Sequence, residues 1–242
     1  CGRCRGGGTP KNTERQQQVS LGAGQDLECV EKFCYLGDMI GAGGGAEDAS
    51  RARTRCAWSK FRELAPILTS RGASLKVKGK VYKTCVQRTM VYGSETWPMK
   101  KEDMQRLERT ERMMVRWMCG VSLKNRISSE ELKGRLGIEG VDEIVERGRL
   151  RWFGHVERKP EGSWVSACRK FEVAGTKGRG RSKKTWEECL RNDLNCRGLT
   201  ALMAQGKINW MSLTERKRPT RASMEKPQHT LLRCGRMDAK RK

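Results

Sequence analysis

The chain of 242 residues is long enough for one large domain or two small ones, with a core that needs no staples. Its 51 Lys and Arg stand against 28 Asp and Glu, and the resulting +23 is spread along the whole length, which points to a phosphate-rich partner, a solvated basic surface being the plainer reading. No apolar run approaches the roughly 18 residues of a spanning helix and no signal-peptide core is present; the 11 Cys stand mostly singly in helical patterns, as small buried apolar residues would. A membrane protein and a disulfide-framed secreted one are thereby set aside, and an intracellular, reducing compartment, nucleus or cytoplasm, is expected.

A first residue of Cys, Cys1, is expected of a piece of a longer chain. Residues 1–26 hold Gly, Arg, Lys and Gln with hardly an apolar side chain and are expected to be disordered. Cys1-x-x-Cys4 is half of a zinc site, but no second Cys or His pair follows at ligand spacing, so a chance pair is the better reading. Residues 27–45 open with Leu27 and Cys29 and continue through Phe33–Ile40 (FCYLGDMI), a short aromatic stretch that suits a β-hairpin turning at Gly37. Gly41–Gly45 (GAGGG) lacks the Lys-Ser/Thr of a phosphate loop and reads as a linker.

Residues 46–158 carry helical periodicity. Glu47 to Leu68 forms a helix with Ala57, Phe61, Leu64 and Leu68 on its apolar side. After a turn at Ser70–Gly72, Ser74 caps the helix on which the fold is expected to centre. From Lys80 to Trp97, one row of Val81, Cys85, Thr89 and Tyr92 and a second of Tyr82, Val86 and Met90 make that helix apolar over more than one face. Lys101–Cys119 turns Met104, Leu107, Met114, Val115 and Met118 inward, and Ser128-x-x-Glu131 signs a short capped helix ending near Gly137. Val141, Val145, Gly148, Trp152 and Val156 define one side of a further helix whose exposed side carries Arg147, Arg149, Arg151 and Arg158. Residues 159–215 form a basic extension with a Gly-interrupted loop, Thr176–Lys184 (TKGRGRSKK), and a short helix at Trp186–Leu194; residues 216–242 are expected to be a disordered basic tail. The fold class is mainly α: a helical bundle with a short N-terminal β-hairpin and disordered basic termini.

Two-metal nucleotidyl transfer needs carboxylates gathered on a tight strand hairpin. Here the adjacent acids Glu102-Asp103, Glu130-Glu131 and Asp142-Glu143 each fall in the first turn of a predicted helix, where the helix dipole accounts for them. With His155 and His229 as the only histidines, Ser-His or Cys-His machinery has few possible bases. His155, in RWFGHVER, reads plainly as a surface or packed histidine and more sharply as a phosphate or base contact. His229-x4-Cys234 matches half of a zinc knuckle whose upstream cysteines are missing. No catalytic residue and no metal ligand is assigned. Trp58, Trp97, Trp117, Trp152 and Trp186 each lie near Lys or Arg, which suits backbone neutralisation with occasional stacking.

Taken in order, CVEKFCYLGDMI, RARTRCAWSKFREL, KGKVYKTCVQRTMVYGSETW, LERTERMMVRWMCG and RGRLRWFGHVER resemble the region after the catalytic palm in reverse transcriptases of LINE-type non-LTR retrotransposons. The first resembles the family's YLG block, the hairpin corresponding to the primer grip, and the others the thumb and C-terminal extension. GRGRSKKTWEECLRNDL is similar to the family's basic GRPRKTW-like block, from which Gly180 and Ser182 depart, and KINWMSLTERKRPTRASMEKP to its C-terminal block. Coverage runs from Glu28 to Pro227.

The resemblance implies a part of an RNA-directed DNA polymerase that holds the duplex of RNA template and DNA primer. The endonuclease, fingers and palm with its paired aspartates would be its protein partners, so the chain alone is expected to be inactive, with no cofactor of its own; the parent would use Mg. No membrane partner is implied. Phe33, Tyr35, Leu36 and Gly37 would position the primer end. Arg51, Arg53, Arg55, Lys76, Lys78 and Lys80 would touch the duplex backbone, and Arg149, Arg151, His155, Lys177, Arg179, Arg181, Lys183 and Lys184 the template or its flanking structure. The rivals are a free-standing nucleic-acid or protein interaction module derived from a mobile element, and a decayed copy without function.

Overall fold

The structure is a computed structural model that describes residues 18–20, 26–171 and 183–216. They fall in two units, one ending at Gly44 and one beginning at Gly45. The chain is mainly α-helical, and the strands among the described residues belong to the first unit.

In the first unit β1 (Gln18–Ser20) pairs antiparallel with β2 (Asp26–Glu28), a ladder the hydrophobic pattern did not announce. The expected hairpin follows as β3 (Lys32–Tyr35) and β4 (Asp38–Gly41), with Phe33 opposite Ile40 and Tyr35 opposite Asp38. Its two turn residues, Leu36 at φ 48 and Gly37 at φ 79, are both left-handed, as the tight turn matching strand twist requires. Glycine adopts this freely, whereas the Cβ of Leu36 crowds its own carbonyl.

The second unit begins with α1 (Glu47–Glu63) and α2 (Ala65–Leu68). The expectation of one helix to Leu68 is corrected at Leu64. Pro66 has no N–H to continue the ladder, so the chain tightens there and restarts with Pro66 in the first turn of α2. Next, α3 (Leu75–Val81) runs into a π-helical stretch (Tyr82–Gln87) and α4 (Arg88–Met90). Ser74 caps α3 by accepting from Val77 N–H at 3.4 Å. Of the two expected apolar rows, Tyr82, Val86 and Met90 are fully buried. The wider π turn keeps residues four apart in line. The other row is corrected: Val81, Cys85 and Thr89 are half-buried and Tyr92 is exposed.

α5 spans Lys101–Cys119, as the periodicity predicts, and buries Leu107, Met114, Val115 and Met118, while Met104 is only partly covered. Asp103 does more than favour the dipole; it is buried and accepts from Ser50 Oγ at 3.3 Å. α6 (Ser129–Leu136) starts on Ser128, whose Oγ accepts from Glu131 N–H, and ends at Gly137. α3 crosses α6 so closely that a Cβ on Gly79 would overlap the Leu136 carbonyl. Around this crossing Ala57, Phe61, Tyr82, Met114, Leu132 and Val145 share one core, each large side chain contributing roughly 1.5–3 kcal/mol.

α7 (Val141–Glu157) extends from that core into a second one, where Leu150 and Phe153 meet Leu190, Leu199, Ala204 and Trp210. The expected face is corrected: Val141, Val145, Arg149 and Phe153 point inward, Gly148 is half-buried and Trp152 is exposed. The other walls of this core come from α9 (Trp186–Arg197) and α10 (Lys207–Glu215), with α8 (Trp164–Lys170) alongside α7. The sequence reading held one short helix here. α10 buries only Trp210 and Thr214, too few positions to show a period. The cysteine expectation is corrected as well. Of the described thiols, all free, Cys189 is buried, Cys85 and Cys119 are half-buried, and Cys29, Cys34, Cys56, Cys168 and Cys196 are exposed. No described helix is long and apolar enough to cross a membrane.

Candidate nucleic-acid interface

From Arg51 to Arg88 the sequence holds a single acidic residue, Glu63. The apolar sides of α1 and α3–α4 turn toward the core, leaving most of their basic side chains outside. Arg51 is exposed and pairs with Glu47 at 2.5 Å, and Lys60 pairs with Glu63 at 2.9 Å. Exposed pairs of this kind contribute little. Arg53 is half-buried, with its guanidinium 4.2 Å from the Tyr92 ring centre. Arg55, Lys76, Lys80, Lys83 and Arg88 are exposed, with no acidic partner among the described residues. Lys83 and Arg88 were passed over in the sequence, where the apolar rows around them dominate.

Lys78 is a correction. It is 6% exposed, and its Nζ donates to the Met118 carbonyl at 3.1 Å, satisfying the C-terminal end of α5. Helix geometry gives the reason: Lys76 and Lys80 share a face, while Lys78 lies across the helix from both.

Arg149 is a second correction. It is 3% exposed and bonds Asp193 of α9 at 2.5 Å. Its neighbours on the supposed open side are mostly occupied too. Arg147 bonds Glu139 and lies 3.6 Å from Glu215; the Glu139 bond holds the guanidinium in its charged form, above its already high ordinary pKa. Arg158 donates to the Ala204 carbonyl at 2.6 Å. Arg151 stays exposed, and so does His155, whose ring lies 5.6 Å from that of Trp152 with the planes at 28°. Within RWFGHVER the inward positions belong to Phe153, 5.9 Å edge-on to Trp210, and to Gly154, where a Cβ would strike the Trp210 indole. The Trp210 Nε1–H donates to the Leu150 carbonyl at 2.9 Å. Lys183 is exposed and Lys184 half-buried, ahead of α9; Lys177, Arg179 and Arg181 lie outside the described residues.

The primer-grip-like residues sit on the β3–β4 hairpin of the first unit. Phe33 and Tyr35 share one face of β3, their ring centres 6.4 Å apart, and are 55% and 56% exposed. Leu36 and Gly37 form the turn.

Glu111 of α5 was not singled out in the sequence. One carboxylate oxygen accepts from Gln87 Nε2 at 2.9 Å and the other from the Val141 N–H at 3.1 Å, so it caps α7 from another helix. Burial lifts its carboxyl above the ordinary range. The same burial, reinforced by the charge of Glu111, raises Tyr82 well above its usual value. An acid midway along α5 offered no local signal of this role. Among the described residues no three His, Cys, Asp or Glu side chains gather as a metal ion would require.

The chain is similar to a Caenorhabditis elegans protein described as transposon-derived, with 23% identity over 202 residues, covering 78% of this chain and 72% of that one. The similarity supports an origin in a mobile element. No family model and no solved structure matches.

Proposed function

We propose that the chain is the nucleic-acid-binding C-terminal part of a LINE-type RNA-directed DNA polymerase, and that it holds the template–primer duplex while the catalytic carboxylates belong to other domains. The observation that carries this reading is the set of exposed cations Arg55, Lys76, Lys80, Lys83 and Arg88, without an acidic partner among the described residues, on a segment with one acid in it. Such side chains neutralise phosphates and release counterions without reading sequence. The mobile-element origin supports the polymerase side of the proposal. In this reading Phe33 and Tyr35 present their exposed rings to the palm or primer end, and Arg151 and His155 meet the template. The Mg ions of the parent enzyme would be held by its palm.

The test is fluorescence anisotropy of the full chain with a labelled RNA–DNA hybrid across a salt series. Five to six neutralised phosphates give a slope of log K against log salt of about −5, with weak sequence dependence. A flat plot would overturn the proposal.

A further inference from the structure

Between the π-helical stretch with α4 on one side and α7 on the other lies a cleft of about 200 Å³. Lys83, Arg88, Arg147 and Arg151 line it, with Glu95 as the one acid of the lining. Arg147 is committed to Glu139 and Glu215. Arg151 meets Glu215 only at 4.0 Å, with both side chains more than half exposed, and such a pair leaves it available. Lys83 and Arg88 have no ionic partner among the described residues. Gln87 also lines the cleft; it is buried, and its amide nitrogen is taken up by Glu111 and the Glu139 carbonyl. The cleft therefore offers three available cations, a combination suited to a ligand with an anionic group.

One turn along α7 from Arg151, on the same face, stands His155 stacked with Trp152. Trp152 is 38% exposed, and the core contacts of this part of α7 are made instead by Leu150, Phe153 and Gly154. An indole and an imidazole left outside, stacked with their planes at 28° and one turn from the cleft-lining Arg151, present a ring face to which an unpaired base can stack.

We infer that the cleft and the Trp152–His155 pair form a single-nucleotide subsite for single-stranded nucleic acid, with the phosphodiester between Lys83, Arg88 and Arg151 and the base against the exposed rings. The inference rests on the nucleic-acid reading above and adds to it the strand type and the residues that select it. A paired duplex cannot use the platform, because its bases already stack on one another. The subsite therefore suits template outside the duplex.

The full chain is titrated with a labelled oligothymidylate and with an abasic strand of equal length, which keeps the phosphates and removes the bases. Trp152→Ala lowers affinity for the oligothymidylate about tenfold and leaves the abasic strand unchanged. His155→Ala acts in the same direction by a smaller factor and, being on the surface, keeps the inference testable if Trp152→Ala does not fold. Lys83→Ala with Arg88→Ala weakens both strands and reduces the salt slope by about 1.4. If the wild type binds and the Trp152 and His155 variants are unchanged, or lose equally on both strands, the subsite is overturned and the general reading stands. If the wild type binds neither single strand but binds the RNA–DNA hybrid in a salt-dependent way, the subsite alone is overturned; if it binds neither the strands nor the hybrid, both fall.

Discussion

In the segment from Arg51 to Arg88 most cations face water, whereas among the described residues between Glu139 and Arg216 most arginines are taken up by acids or carbonyls of the fold. Arg149 is spent on Asp193, Arg169 on Glu157, and Arg197 on Glu146 at 2.6 Å and on the Thr214 carbonyl at 3.0 Å. Arg158 closes on Ala204. The cause is the supply of acids. The first region has Glu63 within it and Glu47 beside it; the second brings Glu139, Glu146, Glu157, Asp193 and Glu215 within reach of its arginines. Basic density in sequence therefore overstates positive surface wherever acids on packed neighbouring elements can meet it. Among the described residues the first region keeps most of its cations open, and the second keeps fewer, Arg151 among them.

The most damaging way to break the second region is Arg149→Ala. It breaks the buried ion pair with Asp193 and is expected to lower stability by about 3–5 kcal/mol in urea unfolding. Replacing both, Arg149→Met with Asp193→Leu, is expected to restore most of that loss; a single variant near wild type would show that the pair is not structural.

The first region answers differently. Arg55→Ala, Lys76→Ala and Lys80→Ala combined should change stability by no more than roughly 0.5 kcal/mol each. The same variant should reduce the slope of the salt titration with duplex by about 2.7, three phosphate contacts being lost. An unfolded triple variant, or an unchanged slope, would erase the contrast between the regions.

Glu111 joins the two regions, bonding Gln87 of the basic helix and the first N–H of α7. Its raised carboxyl keeps a proton in the folded protein at pH values where the unfolded chain has released it. Stability therefore falls as pH rises from the ordinary carboxylate value through the raised one. Glu111→Gln is expected to flatten that part of the profile in urea unfolding measured across pH, and an unaltered profile would assign the dependence to another group.

The smallest effect is local to the first region. Ser74→Ala removes a long cap bond, 3.4 Å, and is expected to cost about 0.5–1 kcal/mol of stability without altering nucleic-acid affinity.

Much of the fold was legible because its signals are local. The Lys101–Cys119 period, the Ser128 cap, the turn at Gly37 and the buried Tyr82, Val86 and Met90 row follow from spacing, capping and backbone freedom within a few residues. The candidate site was legible in part. Arg55, Lys76, Lys80, Arg151 and His155 do lie outside, while Lys78 and Arg149 do not. Neither failure shows in its own neighbourhood. Lys78 is claimed by the carbonyl of Met118, 40 residues away, and Arg149 by Asp193, 44 away.

The sequence by itself determined that the chain is basic and mainly helical, and where most of its helices start, since charge is a sum over residues and caps act over one turn. The tertiary structure alone decided which cations remain outside. A guanidinium or ammonium is drawn inward only when packing brings an acid or a free carbonyl against it from another element, and that juxtaposition is a property of three-dimensional contacts that no single helix contains.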